Sequence, residues 1–406
     1  MTDRKIVIAG AGQAAASFAA KLRELDRTCA ITLIGDEPVL PYQRPPLSKK
    51  YMTGDMDAER LLLRPADWYE TNHITCMRGV RVEEIDRAAK KVMLSSGDRL
   101  NYDKLLIATG STPRHLPEEA GGKLDGVFVL RSLADADAMA HRFAPGKRVL
   151  IVGGGYIGLE AAAVAAQLGL EVHVAEMAER ILQRVASPQT SDWYRELHRS
   201  HGVNIMENTS LKCLTGTDGH VSGAQFKDGT SLEIDFALVG IGVVPAMELA
   251  VAAGLETANG ICVDSACRTS DPDILSAGDC ASFEFGGNRI RLESVQNAID
   301  QAEAAAHTAA GVPADYKPTP WFWSDQYDAK LQIAGLNAGY DETCVRPGVR
   351  EGSQSIWYFR SGKFLAVDAI NDSRSYMFGK KLLELGRNVT PAQASDPAFD
   401  LKQLIQ

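Results

Sequence analysis

One pattern occurs twice in this chain, and it restricts the fold more than any other feature. Lys5–Gly10 (KIVIAG) is an apolar strand that runs into Gly10-Ala-Gly12-Gln-Ala-Ala15. Arg148–Gly153 (RVLIVG) is another, running into Gly153-Gly-Gly155-Tyr-Ile-Gly158, and the two loops start 143 residues apart. Each loop is followed by an alanine-rich helical stretch, Ala14–Leu25 and Leu159–Leu168, and then by a second apolar strand, Ala30–Ile34 and Glu171–Ala175. Strand, glycine loop, helix and strand form the building unit of a doubly wound α/β sheet.

The remaining segments extend this plan. Leu105–Gly110, Ala237–Gly242 and Ile274–Asp279 read as apolar strands ending in turn residues, and Gln296–Ala310 reads as a helix from its alanine content. Beyond Pro318-Thr-Pro320 the character changes to alternating, aromatic-rich strands at Lys330–Ala334, Ser355–Phe359 and Phe364–Ala369, closed by a helical tail. The prediction is two α/β units followed by a smaller α+β domain. A length of 406 residues gives each of them enough chain for its own core.

The loops carry chemistry because of how glycine behaves there. The first glycine makes a tight turn, and the second lets backbone N–H groups approach a pyrophosphate. The third lets the helix pack against the strand, so that the positive end of the helix faces the phosphates. Ala15 occupies the third place in the first loop, which the motif tolerates. A carboxylate follows at the expected distance in both: Asp36 (with Glu37) 21 residues past Ala15, and Glu176 18 residues past Gly158. Such a carboxylate accepts hydrogen bonds from an adenosine ribose and repels a 2′-phosphate. No Arg or Lys directly follows Glu176, which favours NADH over NADPH. On these residues alone, two such loops accommodate two nicotinamide dinucleotides, or one flavin and one nicotinamide dinucleotide. Asp279, in Ala277-Gly278-Asp279-Cys280, fits a further flavin contact on the ribitol chain.

Charge and cysteine content exclude other classes. The formal net charge of −9 argues against a nucleic-acid or anionic-membrane partner. No apolar run makes a membrane span, and Met1–Lys5 leads straight into a strand pattern without a secretory signal, so a cytoplasmic protein is expected. The charge is uneven: residues 1–110 carry 17 basic and 15 acidic side chains, whereas residues 237–317 carry 4 and 11. The seven cysteines form no C-x-x-C pair, and neither a metal site nor a redox disulfide is expected from them.

Six motifs in order give the chain a family likeness. They are Pro41–Lys49 (PYQRPPLSK), Ala108-Thr109-Gly110, Gly153–Glu160 (GGGYIGLE), Ala277–Cys280, Glu293–Asn297 (ESVQN) and Phe322–Gln326 (FWSDQ). Over essentially its whole length the sequence resembles the bacterial FAD-dependent ferredoxin reductases of the putidaredoxin reductase type. These serve cytochrome P450 and ring-hydroxylating dioxygenase systems. The resemblance implies a glutathione reductase-like fold, with two Rossmann-like dinucleotide-binding domains and a C-terminal α+β domain. An FAD domain would comprise 1–111 and 237–317, an NAD domain 112–236, and the C-terminal domain 318–406.

The same resemblance implies site residues. FAD contacts fall on Gly10, Gly12, Ala14, Ala15, Asp36, Glu37, Arg44, Lys49, Val82, Thr109, Gly110, Arg131, Asp279 and Val295, with Val82 placed by loop spacing alone. NAD contacts fall on Gly153, Gly155, Tyr156, Ile157, Gly158, Glu160 and Glu176. Glu160 would lie by the nicotinamide carboxamide, Lys49 would approach it near the reactive edge of the flavin, and Trp323 would lie near the flavin ring. The start of the Glu293–Ala310 helix would steady negative charge on the reduced flavin. The implied partner is an acidic [2Fe–2S] ferredoxin, docked near Lys380 and Lys381. Relatives of this fold that perform thiol chemistry carry a cysteine pair, or one cysteine near position 42. Here the stretch is Tyr42-Gln43-Arg44, so the electrons are expected to leave through an outside one-electron carrier. A rubredoxin reductase is the nearest alternative. An NADH-sensing signalling flavoprotein like apoptosis-inducing factor is the alternative of another class, although only 89 residues follow Lys317.

Overall fold

A computed structural model describes residues 4–406. Met1-Thr2-Asp3, the opening of the N-terminus read above, lie outside the described residues. The chain divides into two units. The first comprises the chain up to Gln43, Asp57–Thr112 and Val243–Pro318; the second comprises Arg44–Met56, Pro113–Gly242 and Thr319–Gln406.

In the first unit five parallel strands stand in the order Ile274–Ser276, Lys104–Ile107, Lys5–Ala9, Ala30–Gly35, Ile74–Arg78. Strands buried on both faces read as continuous apolar runs, which is why KIVIA and KLLI were legible without alternation. The helix Gln13–Leu25 packs against the helix Val295–Ala310. Their shared face consists of Ala14, Ala15, Phe18 and Ala19 against Ala298, Ala302, Ala305 and Ala309. All but Phe18 of these are alanines, and side chains that small allow the two helices to pack closely and bring the second helix to the first glycine loop.

The second unit holds the other parallel sheet, in the order Asn204–Met206, Glu171–Ala175, Arg148–Val152, Phe236–Val239, Val127–Phe128. Its glycine loop opens the helix Tyr156–Gln167, three residues earlier than the helix read from sequence. One boundary needs correction. The strand read at Ala237–Gly242 was assigned with the FAD segment 237–317. Instead it pairs in parallel with Arg148–Val152, Ala237 lying against Leu150, so the chain crosses between units after Gly242.

The C-terminal segment is part of the second unit. It forms an antiparallel sheet in the order Trp321–Gln326, Ala329–Gly335, Lys363–Ile370, Gln354–Arg360, Glu342–Pro347, followed by the helix Ser373–Leu385. Two of these strands, Trp321–Gln326 and Glu342–Pro347, were not read as strands from sequence. A buried polar seam ties this sheet to the helix Pro188–Ser200. Asp368 accepts from the Thr190 hydroxyl at 2.8 Å, the Ser187 amide donates to the Tyr358 hydroxyl at 2.9 Å, and His198 meets Gln326 at 2.8 Å. Burial without a countercharge raises the Asp368 carboxyl to about 6.

Candidate functional site: two dinucleotide cradles and a clamped carboxylate

The first glycine loop is shaped by positions that admit no side chain. Gly10 has φ +120°, and a Cβ there would meet the Ala108 carbonyl oxygen at 2.2 Å. At Gly12 an added Cβ would meet nothing within 4 Å, so this side of the loop is open. Gly12 is also the N-cap of the following helix and supplies no side-chain cap. The first amides of that helix, Ala14 and Ala15 among them, therefore have no intrahelical acceptor and point toward the opening. At the end of the next strand Asp36 is exposed, and Glu37 accepts from the Tyr42 hydroxyl at 2.6 Å. An open cradle, uncapped amides and terminal carboxylates suit the pyrophosphate and ribose of a dinucleotide.

Other expected flavin positions in this unit gather around the same sheet end. Thr109 donates its hydroxyl to the Ala246 carbonyl at 2.6 Å, and Gly110 has φ +72°. Asp279 accepts from the Ser111 hydroxyl at 3.0 Å, and the adjoining Gly278 amide is held by Gln301 at 2.9 Å. A Cβ on Gly278 would lie 3.1 Å from that of Ala14, which brings the Asp279 turn to the first loop. Val295 opens its helix half-buried, and the Ser294 side chain caps the Asn297 amide at 3.1 Å, leaving the Val295 and Gln296 amides without that cap. Val82 is a core side chain, packed with Val92 and Ile107.

The second loop repeats the design more tightly. Gly153 has φ +110°, and a Cβ on it would strike the Gly240 carbonyl at 2.4 Å. Gly155 is the open position and the uncapped N-cap. At Gly158 a Cβ would meet the Gly153 carbonyl at 2.2 Å, so this helix requires the glycine that Ala15 replaces in the first loop. Ile157 is half exposed, whereas the Tyr156 hydroxyl is buried and its ionisation pushed far up by desolvation, then by Asp368. Glu176 caps the far side: Oε2 accepts from the Gly154 amide and Oε1 from the Ala178 amide, both at 2.8 Å. Arg180, the nearest arginine along the chain, donates instead to the Ala186 carbonyl at 2.8 Å and to the Ser191 hydroxyl.

Glu160, one turn into this helix, is only 6% exposed yet is a carboxylate. Three donors compensate its burial. Lys49 lies 2.9 Å from Oε1, the Ser324 hydroxyl donates to Oε1 at 2.7 Å, and the Ser48 hydroxyl to Oε2 at 3.1 Å. The expected Lys49–Glu160 approach is therefore present in the second unit. Arg44, on the same segment as Lys49, donates to the Arg131 carbonyl at 2.7 Å, and Asp135 receives the Arg131 amide at 3.0 Å. Ser48, Ser324 and Gln326 lie inside quoted motifs but had been given no role. A signal was available: in the strand WFWSDQ, Ser324 and Gln326 stand two apart on one face, and both are buried.

Trp323 is half-buried, its ring centroid 5.6 Å from Trp321 and 6.4 Å from Phe322, and Phe322 lies 5.1 Å from Tyr156. The Lys380 ammonium stands 5.2 Å from the Trp321 ring. All seven cysteines are free thiols, and burial raises Cys76 and Cys344 to about 11, away from reactive thiolate. Among the described residues no group of three His, Cys, Asp or Glu is arranged for a metal, and no helix is long and apolar enough to cross a membrane.

Comparison with known proteins agrees with this geometry. The family model described as pyridine nucleotide-disulphide oxidoreductase matches residues 4–302, and that described as reductase C-terminal matches 321–405. A ferredoxin–NAD(P)+ reductase from a Sphingomonas species is 42% identical over 100% of this chain and 99% of its own length. The crystal structure of a ferredoxin reductase for the CYP199A2 system of Rhodopseudomonas palustris superposes with a TM-score of 0.96 at 40% identity, covering all of both chains. The reductase of the covalent putidaredoxin reductase–putidaredoxin complex gives the same TM-score at 37% identity, covering 100% of this chain and 99% of that one. Two dinucleotide cradles, a C-terminal α+β sheet and these likenesses lead to one assignment: the chain belongs to the pyridine nucleotide-disulphide oxidoreductase family, within its ferredoxin reductases.

Proposed function

We propose that this chain oxidises NADH and passes the electrons, through a bound FAD, to a [2Fe–2S] ferredoxin that feeds a cytochrome P450 or a ring-hydroxylating dioxygenase. The observation that carries this reading is the doubled cradle, each copy with an open glycine, uncapped helix amides and a carboxylate ending the next strand. A bound flavin supplies the chemistry: it accepts a hydride and releases electrons one at a time. Binding and orientation fall to the chain. FAD belongs to the cradle of Gly10, Gly12, Ala14 and Ala15 with Asp36 or Glu37 on its ribose. NADH belongs to Gly153, Gly155 and Gly158, with Glu176 on its ribose and the Oε2 side of Glu160 on its carboxamide. Lys49 balances the Glu160 charge. We assign FAD binding to 1–111 and the segment that returns to the first unit after Gly242, NADH binding to the Rossmann portion within 112–242, and acceptor docking to 318–406.

Selectivity for NADH follows from local geometry. Both Glu176 oxygens are drawn to the loop by backbone amides, and Arg180 donates to the Ala186 carbonyl, so a 2′-phosphate would meet the Glu176 carboxylate rather than the Arg180 guanidinium. No thiol step is assigned, since Tyr42-Gln43-Arg44 occupies the stretch where thiol-using relatives carry cysteine. The acceptor surface includes Lys380 and Lys381 on the helix Ser373–Leu385. The purified protein should be yellow with about one FAD per chain, and NADH should bleach it far faster than NADPH. A colourless protein that binds two nicotinamide dinucleotides, or one bleached equally by both, would refute the assignment.

A further inference from the structure

Glu160 is the end of a longer polar chain. The Ser324 hydroxyl has one proton and gives it to Glu160 Oε1 at 2.7 Å, so its oxygen must accept the next bond, which comes from Gln326 Nε2 at 3.1 Å. That fixes the Gln326 amide, whose Oε1 then faces His198 Nε2 at 2.8 Å and requires a proton there. The other ring nitrogen, Nδ1, is left to accept from the Tyr327 hydroxyl at 3.4 Å. Ser324, Gln326 and His198 are all at most 1% exposed. Burial also holds His198 down to about 4, which keeps the ring neutral at ordinary pH. The reverse polarity would point a hydroxyl lone pair at the carboxylate oxygen and leave Oε1 with Lys49 alone.

We infer that Ser324, Gln326 and His198 form a one-way hydrogen-bond chain that anchors Glu160 Oε1 and thereby leaves Oε2 turned toward the nicotinamide. Two donors, Lys49 and Ser324, occupy Oε1, whereas Oε2 takes only Ser48 among the described residues. The three residues are positioning residues, acting through Glu160 and touching no substrate. This inference rests on the reading above that Glu160 receives the carboxamide. The chain starts on the helix Pro188–Ser200, crosses to the strand Trp321–Gln326 and ends on the second-loop helix. A buried histidine tautomer is thus set by a carboxylate three hydrogen bonds away.

The test has a spectroscopic arm and a kinetic arm. In protein labelled with ¹⁵N-histidine, the His198 ring, assigned by its loss in His198→Gln, should be the Nε2–H tautomer from pH 6 to 9. Ser324→Ala should release that lock and give a tautomer mixture. In stopped flow, Ser324→Ala and His198→Leu should each slow flavin reduction at saturating NADH by about tenfold, the order expected for a slightly misplaced group. His198→Gln, whose amide also donates to Gln326, should recover most of what His198→Leu loses. A tautomer mixture or an Nδ1–H ring in the unmodified protein overturns the chain. So does an unchanged reduction rate in Ser324→Ala alongside a slowed Glu160→Gln, which would leave the chain purely structural. If Glu160→Gln itself reduces at the unmodified rate while the His198 tautomer stays locked, the carboxamide reading of Glu160 fails instead, and the positioning role fails with it.

Discussion

At the scale of single residues, the third motif position of the two glycine loops differs by one methyl group, Ala15 in the first against Gly158 in the second. Glu176 and Glu160 serve the second loop in different ways: the first is tied to the Gly154 and Ala178 amides, the second is compensated by Lys49, Ser48 and Ser324. Replacing Glu176 with Ala removes the ribose acceptor and the repulsion of phosphate together. The ratio of kcat/KM for NADH over NADPH should fall by roughly 5- to 150-fold, equivalent to about 1–3 kcal/mol for charged hydrogen bonds. An unaltered ratio would remove Glu176 from the selectivity. Glu176 was legible in the sequence because spacing past a glycine loop has a fixed meaning. Ser48, Ser324 and His198 were not, because their roles depend on contacts between residues more than 100 positions apart, as in Ser48 with Glu160 and His198 with Gln326.

Among elements, the strand–loop–helix pairs were legible to within three residues. Buried parallel strands need uninterrupted apolar runs, and helices starting at an open glycine need no capping side chain. The antiparallel C-terminal strands were less so. Trp321–Gln326 carries buried polar residues that hide its alternation, and Glu342–Pro347 is an edge strand with much of its length in solvent. The Ala237 strand was visible, but its partner was not, since sequence shows that a strand exists without showing which sheet receives it. Helix packing tests the division of labour between the loops. Gly158→Ala would drive a Cβ to 2.2 Å from the Gly153 carbonyl and push the second-loop helix from its strand. Titration should show NADH binding weakened by at least about tenfold with FAD content unchanged, the loss expected for roughly 1.4 kcal/mol. Loss of FAD with NADH affinity intact would invert the assignment of the two cradles.

For the molecule as a whole, the question is where the electrons go. The overall charge of −9 opposes an acidic partner, so association needs a local basic patch. In the proposed docking mode Lys380 and Lys381 would provide one, although both lie near Glu384, at 4.0 and 3.2 Å, which tempers their field. Reversing both (Lys380→Glu with Lys381→Glu) should raise KM for ferredoxin and flatten the salt dependence of its association rate. Activity toward ferricyanide, which needs no docking surface, should survive. Unchanged ferredoxin kinetics at low salt would move the patch elsewhere, with Arg289 and Arg291 next to be tested. The central claim is that electrons pass from NADH through flavin to a one-electron carrier without a thiol. Its most direct measurement is NADH-driven reduction of a [2Fe–2S] ferredoxin by protein whose accessible cysteines have all been alkylated. The account predicts a rate close to that of the untreated protein, because Cys76 and Cys344 are held protonated by burial and no cysteine lies at positions 42–44. Near-complete loss of ferredoxin reduction, with circular dichroism unchanged, would contradict it.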